Sequence, residues 1–251
     1  MTISEKTWKN YISRLRKLND TAAELMRQYI EKYGTANRQA LIDYAYAVAT
    51  KYGEGSAALT AAMYDAIAEA SGVYVAPATV AETATYKEVA ITVNGTLTRG
   101  GTNTVCDAVG SLVKKAGADT MLQNASRKHD SKMAQYAWIP SGDTCAYCLM
   151  LASNGWQPIS QKALKNGHAE HIHANCDCNY AVRFSEKDGV GGYNPDTYKN
   201  VFDDAEGDTW EEKINYLRRQ QYAENKEEIN AQRRAAYAER EQHEGQSDTK
   251  N

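Results

Sequence analysis

Apolar residues near the start of the chain recur at intervals of three and four: Trp8, Tyr11, Leu15, Leu18, Ala22, Leu25 and Tyr29. That spacing lines them along one face of a helix with 3.6 residues per turn. Thr2-Ile3-Ser4-Glu5 has the form of a capping box, and Gly34 supplies a stop. Thr35 can cap a second helix over 36–52, closed by Gly53, and Ser56 a third over 57–70, closed by Gly72. Short connections favour antiparallel neighbours, so residues 1–72 predict an N-terminal helical bundle.

The pattern changes over 73–101. Pro77, several Thr and Val, and Val93-Asn94-Gly95-Thr96 between apolar positions predict a linker with one small hairpin about Asn94-Gly95. Helical spacing returns over 103–118 and 120–136, giving a helical pair within 102–136. Cys106 lies beside Val105 and Ala108 and reads as a buried structural thiol, whereas His129, among Arg127, Lys128 and Asp130, reads as a solvated residue. Residues 137–186 then predict a small α+β module. Pro140 and Gly142 turn the chain, Leu149-Met150-Leu151 begins a short helix, Trp156 walls its core, and Tyr180, Val182 and Phe184 alternate as in a strand. The remainder, 187–251, predicts a C-terminal helical tail whose last residues, 244–251, are disordered. The fold class is therefore mainly α (α+β).

Composition changes this picture in one respect. The chain has 251 residues, 42% of them hydrophobic, and a formal charge of −3, which argues against a protein that coats nucleic acid over its whole surface. No apolar segment resembles a secretory leader or reaches the ~18 residues of a membrane helix, so the expected compartment is the cytoplasm, at least at first. Reduced thiols there suit metal binding better than disulfides.

Cysteine placement supplies the candidate chemistry. Four of five cysteines and three of five histidines fall between positions 145 and 178, in Cys145-Ala-Tyr-Cys148 and in His171-Ile-His173-Ala-Asn-Cys176-Asp-Cys178. Zn²⁺ takes four tetrahedral ligands from thiolate sulfur and imidazole nitrogen, and a two-residue gap lets both cysteines of a tight turn reach one ion. Cys145, Cys148, His173 and Cys176 form the preferred set, with Cys178 the substitute for whichever of the last two points away. More candidate ligands than positions favour a closed structural site over a catalytic one, and such a site is worth about 10–16 kcal/mol in apparent terms. His168-Ala169-Glu170 matches half of a zinc-deaminase signature, but the CxxC precedes it and no Pro-Cys-x-x-Cys follows. HExxH is absent as well.

Cys145-Ala-Tyr-Cys148-Leu-Met-Leu-Ala-Ser-Asn-Gly155, followed by His173-Ala-Asn-Cys176-Asp-Cys178 and an apolar exit from Val182 to Phe184, resembles the C-terminal motif of the Mu F-like minor head proteins of tailed bacteriophages. Upstream, Tyr52-Gly53, Ala57-Ala58, Ala61-Ala62, Met63, Tyr64-Asp65 and Ala70-Ser-Gly-Val resemble the helical region preceding that motif. The chain carries Ala174 where Pro is commoner and Asp177 where Arg or His is commoner. The resemblance implies a structural protein without catalysis. It would dock near the portal inside the capsid, with portal and major capsid protein as partners, and pass from host cytoplasm to virion. The stripe on the first helix reads as intramolecular core, the alternative being a surface that docks on the portal or another copy. Two other classes fit the cysteine pattern. One is a zinc-containing nuclease or DNA-binding module with His168 and His171 as candidate bases; the other is a cellular adaptor with a zinc ribbon.

The tail holds an internal repeat. Ile214-Asn215-Tyr-Leu-Arg218-Arg219-Gln-Gln-Tyr222-Ala223-Glu224 recurs fifteen residues later as Ile229-Asn230-Ala-Gln-Arg233-Arg234-Ala-Ala-Tyr237-Ala238-Glu239. A fifteen-residue step rotates a helix by about 60°, so both copies occupy overlapping faces. Arg218, Arg219, Tyr222, Arg233, Arg234 and Tyr237 can straddle phosphates and stack on bases. The alternative is a solvated helix held by i,i+4 pairs with Glu224, Glu227, Glu228 and Glu239.

Overall fold

The computed structural model describes residues 2–127, 134–142, 144–159 and 178–247, with side chains described at all of these except 99, 100, 232, 233 and 235–247. Helix α1, Glu5–Tyr33, follows the predicted stripe: Trp8, Tyr11, Ile12, Leu15, Ala22 and Met26 are buried. Its cap is Ser4, whose hydroxyl accepts the Thr7 amide, while Thr2–Ile3 form strand β1. Asn37 caps α2, Arg38–Ser71, and Gly72 ends it at φ 67°.

Helix α2 is one helix where two were expected. Gly53 does not end it because small residues are needed there for packing. A Cβ at 53 would meet Thr83 Cγ2 at 3.0 Å, and Gly55 faces Leu18. Residues 73–85 form an extended strap, as the linker reading expected, and side chains of the flanking helices satisfy its backbone. The amides of Ala78, Thr79 and Ala81 donate to Asp65, Asn124 and Thr120, and Asn124 Nδ2 returns a bond to Thr79 O at 2.7 Å.

The predicted hairpin does not form. Thr85 and Glu88 close a reciprocal capping box, and α3, Tyr86–Ala125, runs through Asn94-Gly95. Val89, Val93, Val105, Val109 and Val113 are all fully buried, and one apolar helical face outweighs a local turn signal when it can pack on two neighbours. Gly101, at φ 79°, interrupts the helical geometry near the boundary expected between linker and helical pair. The second helix of that pair ends early: α3 stops at Ala125, and Gln135–Ile139 is strand β2 instead.

Strand β2 lies between β3 (Gln157–Pro158) and β4 (Asn179–Arg183), antiparallel to both. Trp138 pairs with Tyr180, their rings 4.4 Å apart and steeply inclined. β4 is the strand expected after the last cysteines, and helix α4, Ala146–Ser153, is the expected short helix. The 187–251 segment is not wholly helical. Gly189–Val190 forms β5, parallel to β1, and Gly191 N–H donates to Ile3 O at 2.8 Å. Helices α5, Pro195–Asp203, and α6, Trp210–Ser247, follow. Positions 244–247 fall within α6, and 248–251 lie outside the described residues.

Two apolar clusters hold the molecule. One joins α1, α2 and α3 around Met26, Leu41, Val93 and Val109, so the bundle needs α3 and is not closed within 1–72. The other joins the ends of those helices to the sheet through Tyr64, Met121, Trp138 and Val182. A mainly α fold with a small β component results, and among the described residues no helix is long and apolar enough to cross a membrane.

Helices α2 and α3 approach closely at Gly117, where a Cβ would lie 2.6 Å from Ser56 Oγ and 3.0 Å from Thr60 Oγ1. Gly117→Ala should cost about 1–3 kcal/mol in denaturant unfolding. Ser56→Ala should be nearly neutral, because that hydroxyl is buried with no hydrogen-bond partner among the described residues. The double variant should lose less than the sum, and additive losses would refute the contact.

Candidate metal centre and the anchored C-terminal helix

The turn after β2 delivers the first cysteine pair. Pro140 ends the strand, Gly142 adopts φ 132°, and Cys145 enters α4 as its N-cap with extended backbone. Its Sγ accepts the Cys148 amide at 3.5 Å. The positive pole of a helix N-terminus thus meets a sulfur that carries negative charge when it binds a metal. Cys148 is buried on the first turn of α4. Cys178 is buried directly before β4, whose Asn179 pairs with Ile139 at the end of β2. Cys148 and Cys178 belong to one core, against which Cys145 packs half-buried, and among the described residues none of the three is in a disulfide. Burial raises the Tyr147 phenol, and Cys148 and Cys145 add to the shift. Burial likewise raises Tyr198 on α5, with Cys178 adding.

His173 and Cys176, the other predicted ligands, lie outside the described residues, as do His129, His168 and His171. Among the described residues no three His, Cys, Asp or Glu side chains come together as a metal-holding group. Cys145, Cys148 and Cys178 thus share one apolar cluster without being gathered into such a group, and four of the five predicted donors are cysteines. That donor chemistry fits zinc.

The nucleic-acid candidates lie on α6. Ile214 and Leu217 pack on Ala146 and Ala205, with Phe202 and Met150 alongside, and fix the start of the helix. Arg218, Arg219 and Tyr222 are exposed and, with Asn215, line a shallow depression. Arg234 is exposed; Arg233 and Tyr237 fall within α6, with side chains outside those described.

Two features escaped the sequence pattern. Gln221, the residue between the repeat's arginines and Tyr222, clamps the cysteine turn: its Nε2 donates to Thr144 O at 2.8 Å and its Oε1 accepts the Ala146 amide at 3.1 Å. Both bonds flank Cys145. Only the burial of Ile214 and Leu217 upstream could have hinted at this. A cavity of about 330 Å³ also opens where Trp8, Ile12 and Arg16 of α1 face Ile139 and Pro140. The β1–β5 pairing brings Tyr193 to it, and no periodicity encodes a pairing of residues so far apart.

A model of the family described as VG15 protein matches residues 2–205. The chain belongs to the VG15 protein family. It is a viral-gene-like family, consistent with a phage protein. The VG15 span ends at residue 205, within the loop after α5, so α6 lies beyond it. No curated protein and no solved structure matches the chain.

Burial pushes the Cys106 thiol up to about 11. Below that pH it stays protonated, and only the thiolate attacks an alkylating agent. At pH 8 iodoacetamide should therefore spare Cys106 in the folded protein and modify it after urea unfolding, as peptide mass mapping would show. Equal labelling before and after unfolding would contradict its burial.

Proposed function

We propose that this VG15 family member is a structural minor head protein of a tailed phage. It docks near the portal inside the capsid, supports head assembly and carries out no reaction. One observation supports the reading above others. In a chain of a viral-gene-like family, Cys145 caps α4 with its sulfur toward the Cys148 amide, and Cys178 enters the same core at the start of β4. That is how the Mu F-like cysteine motif would be laid out around a structural ion. In this reading zinc is held by Cys145, Cys148, His173 and Cys176, with Cys178 as the substitute ligand. The ion supplies a rigid cross-link between the cysteine turn and the strand that follows. The protein's own residues do the rest: the shared core fixes α4, and the helical bundle presents its outer faces to portal and major capsid protein. Host cytoplasm is the site of assembly and the virion interior its destination.

Two measurements test this. Metal analysis of the purified chain should find about one zinc per molecule, falling well below that in Cys145→Ala and Cys176→Ser, with a lower melting temperature for both. Unchanged zinc and melting in both variants would refute the ligand set. Co-expression with portal and major capsid protein should place the chain in purified heads, and heads that lack it would remove the structural role.

A further inference from the structure

Past Gln221 the tail leaves the body of the molecule. Residues 222–228 of α6 are all exposed. A long helix polar all round needs a partner or a dense set of side-chain pairs to persist. Composition alone gives no reason for a polyanionic partner, since acids and bases nearly balance along the helix.

Their angular distribution does. Helical positions advance by 100° per residue. Taking Arg218 as origin, Arg218, Arg219, Lys226, Arg233 and Arg240 fall within a sector of about 120°, together with the tyrosine and asparagine of each repeat, while Arg234 lies about 40° beyond it. No acidic position between 215 and 240 enters that sector. Glu224, Glu227, Glu228 and Glu239 fall together in the sector about 180–300° from Arg218. Leu217 and Gln221, which hold α6 to the body, share that second sector. At the clamp the basic sector therefore faces away from the body, while Glu224, Glu227 and Glu228 of the other sector are exposed beyond it. Arg218, Arg219 and Tyr222 are indeed exposed.

We infer that α6 is a DNA-backbone-binding arm, with its basic sector laid against the phosphates of duplex DNA. The arrangement matches that partner in sign, in repetition and in length. A repeated Arg-Arg-x-x-Tyr element suits a ligand whose own chemistry repeats. The span from Arg218 to Arg240 rises about 33 Å, close to one turn of B-form duplex. Arginine forks and lysine ammonium groups make phosphate contacts without reading sequence. The assignment is independent of the metal site and of head incorporation, and α6 lies outside the 2–205 family span.

The test uses the full chain and a random-sequence duplex of about thirty base pairs, followed by fluorescence anisotropy at low and moderate salt. Contacts from about five cations predict an affinity falling on the order of a hundredfold or more for a fourfold rise in salt. Arg218→Glu/Arg219→Glu/Lys226→Glu should lose at least about tenfold in affinity at the lower salt. Glu224→Gln/Glu227→Gln/Glu228→Gln, on the opposite side, should retain or gain affinity. Circular dichroism checks that each variant keeps its helix, and all six side chains are exposed, so folding should survive. The inference is overturned if the parent shows no salt-sensitive binding, if basic-sector reversal leaves binding unchanged, or if polyglutamate competes better than duplex. None of these outcomes bears on zinc content or on entry into heads.

Discussion

The packing of the small sheet against the ends of three helices is the constraint on which the other features depend. Tyr64 of α2 stands at its centre. The side chain is fully buried, its hydroxyl donates to Asn124 O at 3.1 Å, and its ring meets Phe184 edge-on just beyond β4. Asn124 also holds the 73–85 strap, so one buried contact ties α2, α3, the strap and the sheet's exit together. Buried polar groups of this kind are costly unless fully satisfied, and when satisfied they select one arrangement of the elements around them. The two cysteine-bearing ends of β2 and β4 take their positions from that arrangement.

The β1–β5 pairing adds a second closure. It draws the start of the chain to residue 190, at the N-terminal end of α1. The described residues therefore do not divide into a helical unit and a separate cysteine module: Trp8, Tyr11 and Ile12 of α1 share a core with Trp138, Cys148 and Cys178. A thiol cross-link placed there would bear on the α1 contacts too, because both draw on the same buried surface.

Much of the helical architecture was legible because its signals are local and repeated. The α1 stripe, the glycine that ends α2, the short helix at Cys148 and the strand after Cys178 all follow from period and caps. The failures have a common cause. Gly53 resembles a stop and Asn94-Gly95 a turn, yet both lie inside helices whose neighbours need close approach or a continuous valine face. Residues at 135–136 looked helical by spacing, but pairing with β3 and β4 claims them for a strand. Of the candidate site, the cysteine grouping was visible as spacing, and three of its sulfurs fall in or against one apolar cluster while His173 and Cys176 lie outside the described residues. Gln221 was invisible, because a glutamine on a polar helix carries no mark of the backbone groups it will meet.

That glutamine makes the cysteine turn a fulcrum. About 26 residues of α6 extend past it to Ser247, an arm of about 39 Å at 1.5 Å per residue. A tilt of about 10° where Gln221 grips Thr144 and Ala146 displaces the far end by about 7 Å. Rigidity at Cys145 thus translates into aim at the tip, and a loosening too small to disturb the core would shift the end of the arm by more than half a helix diameter.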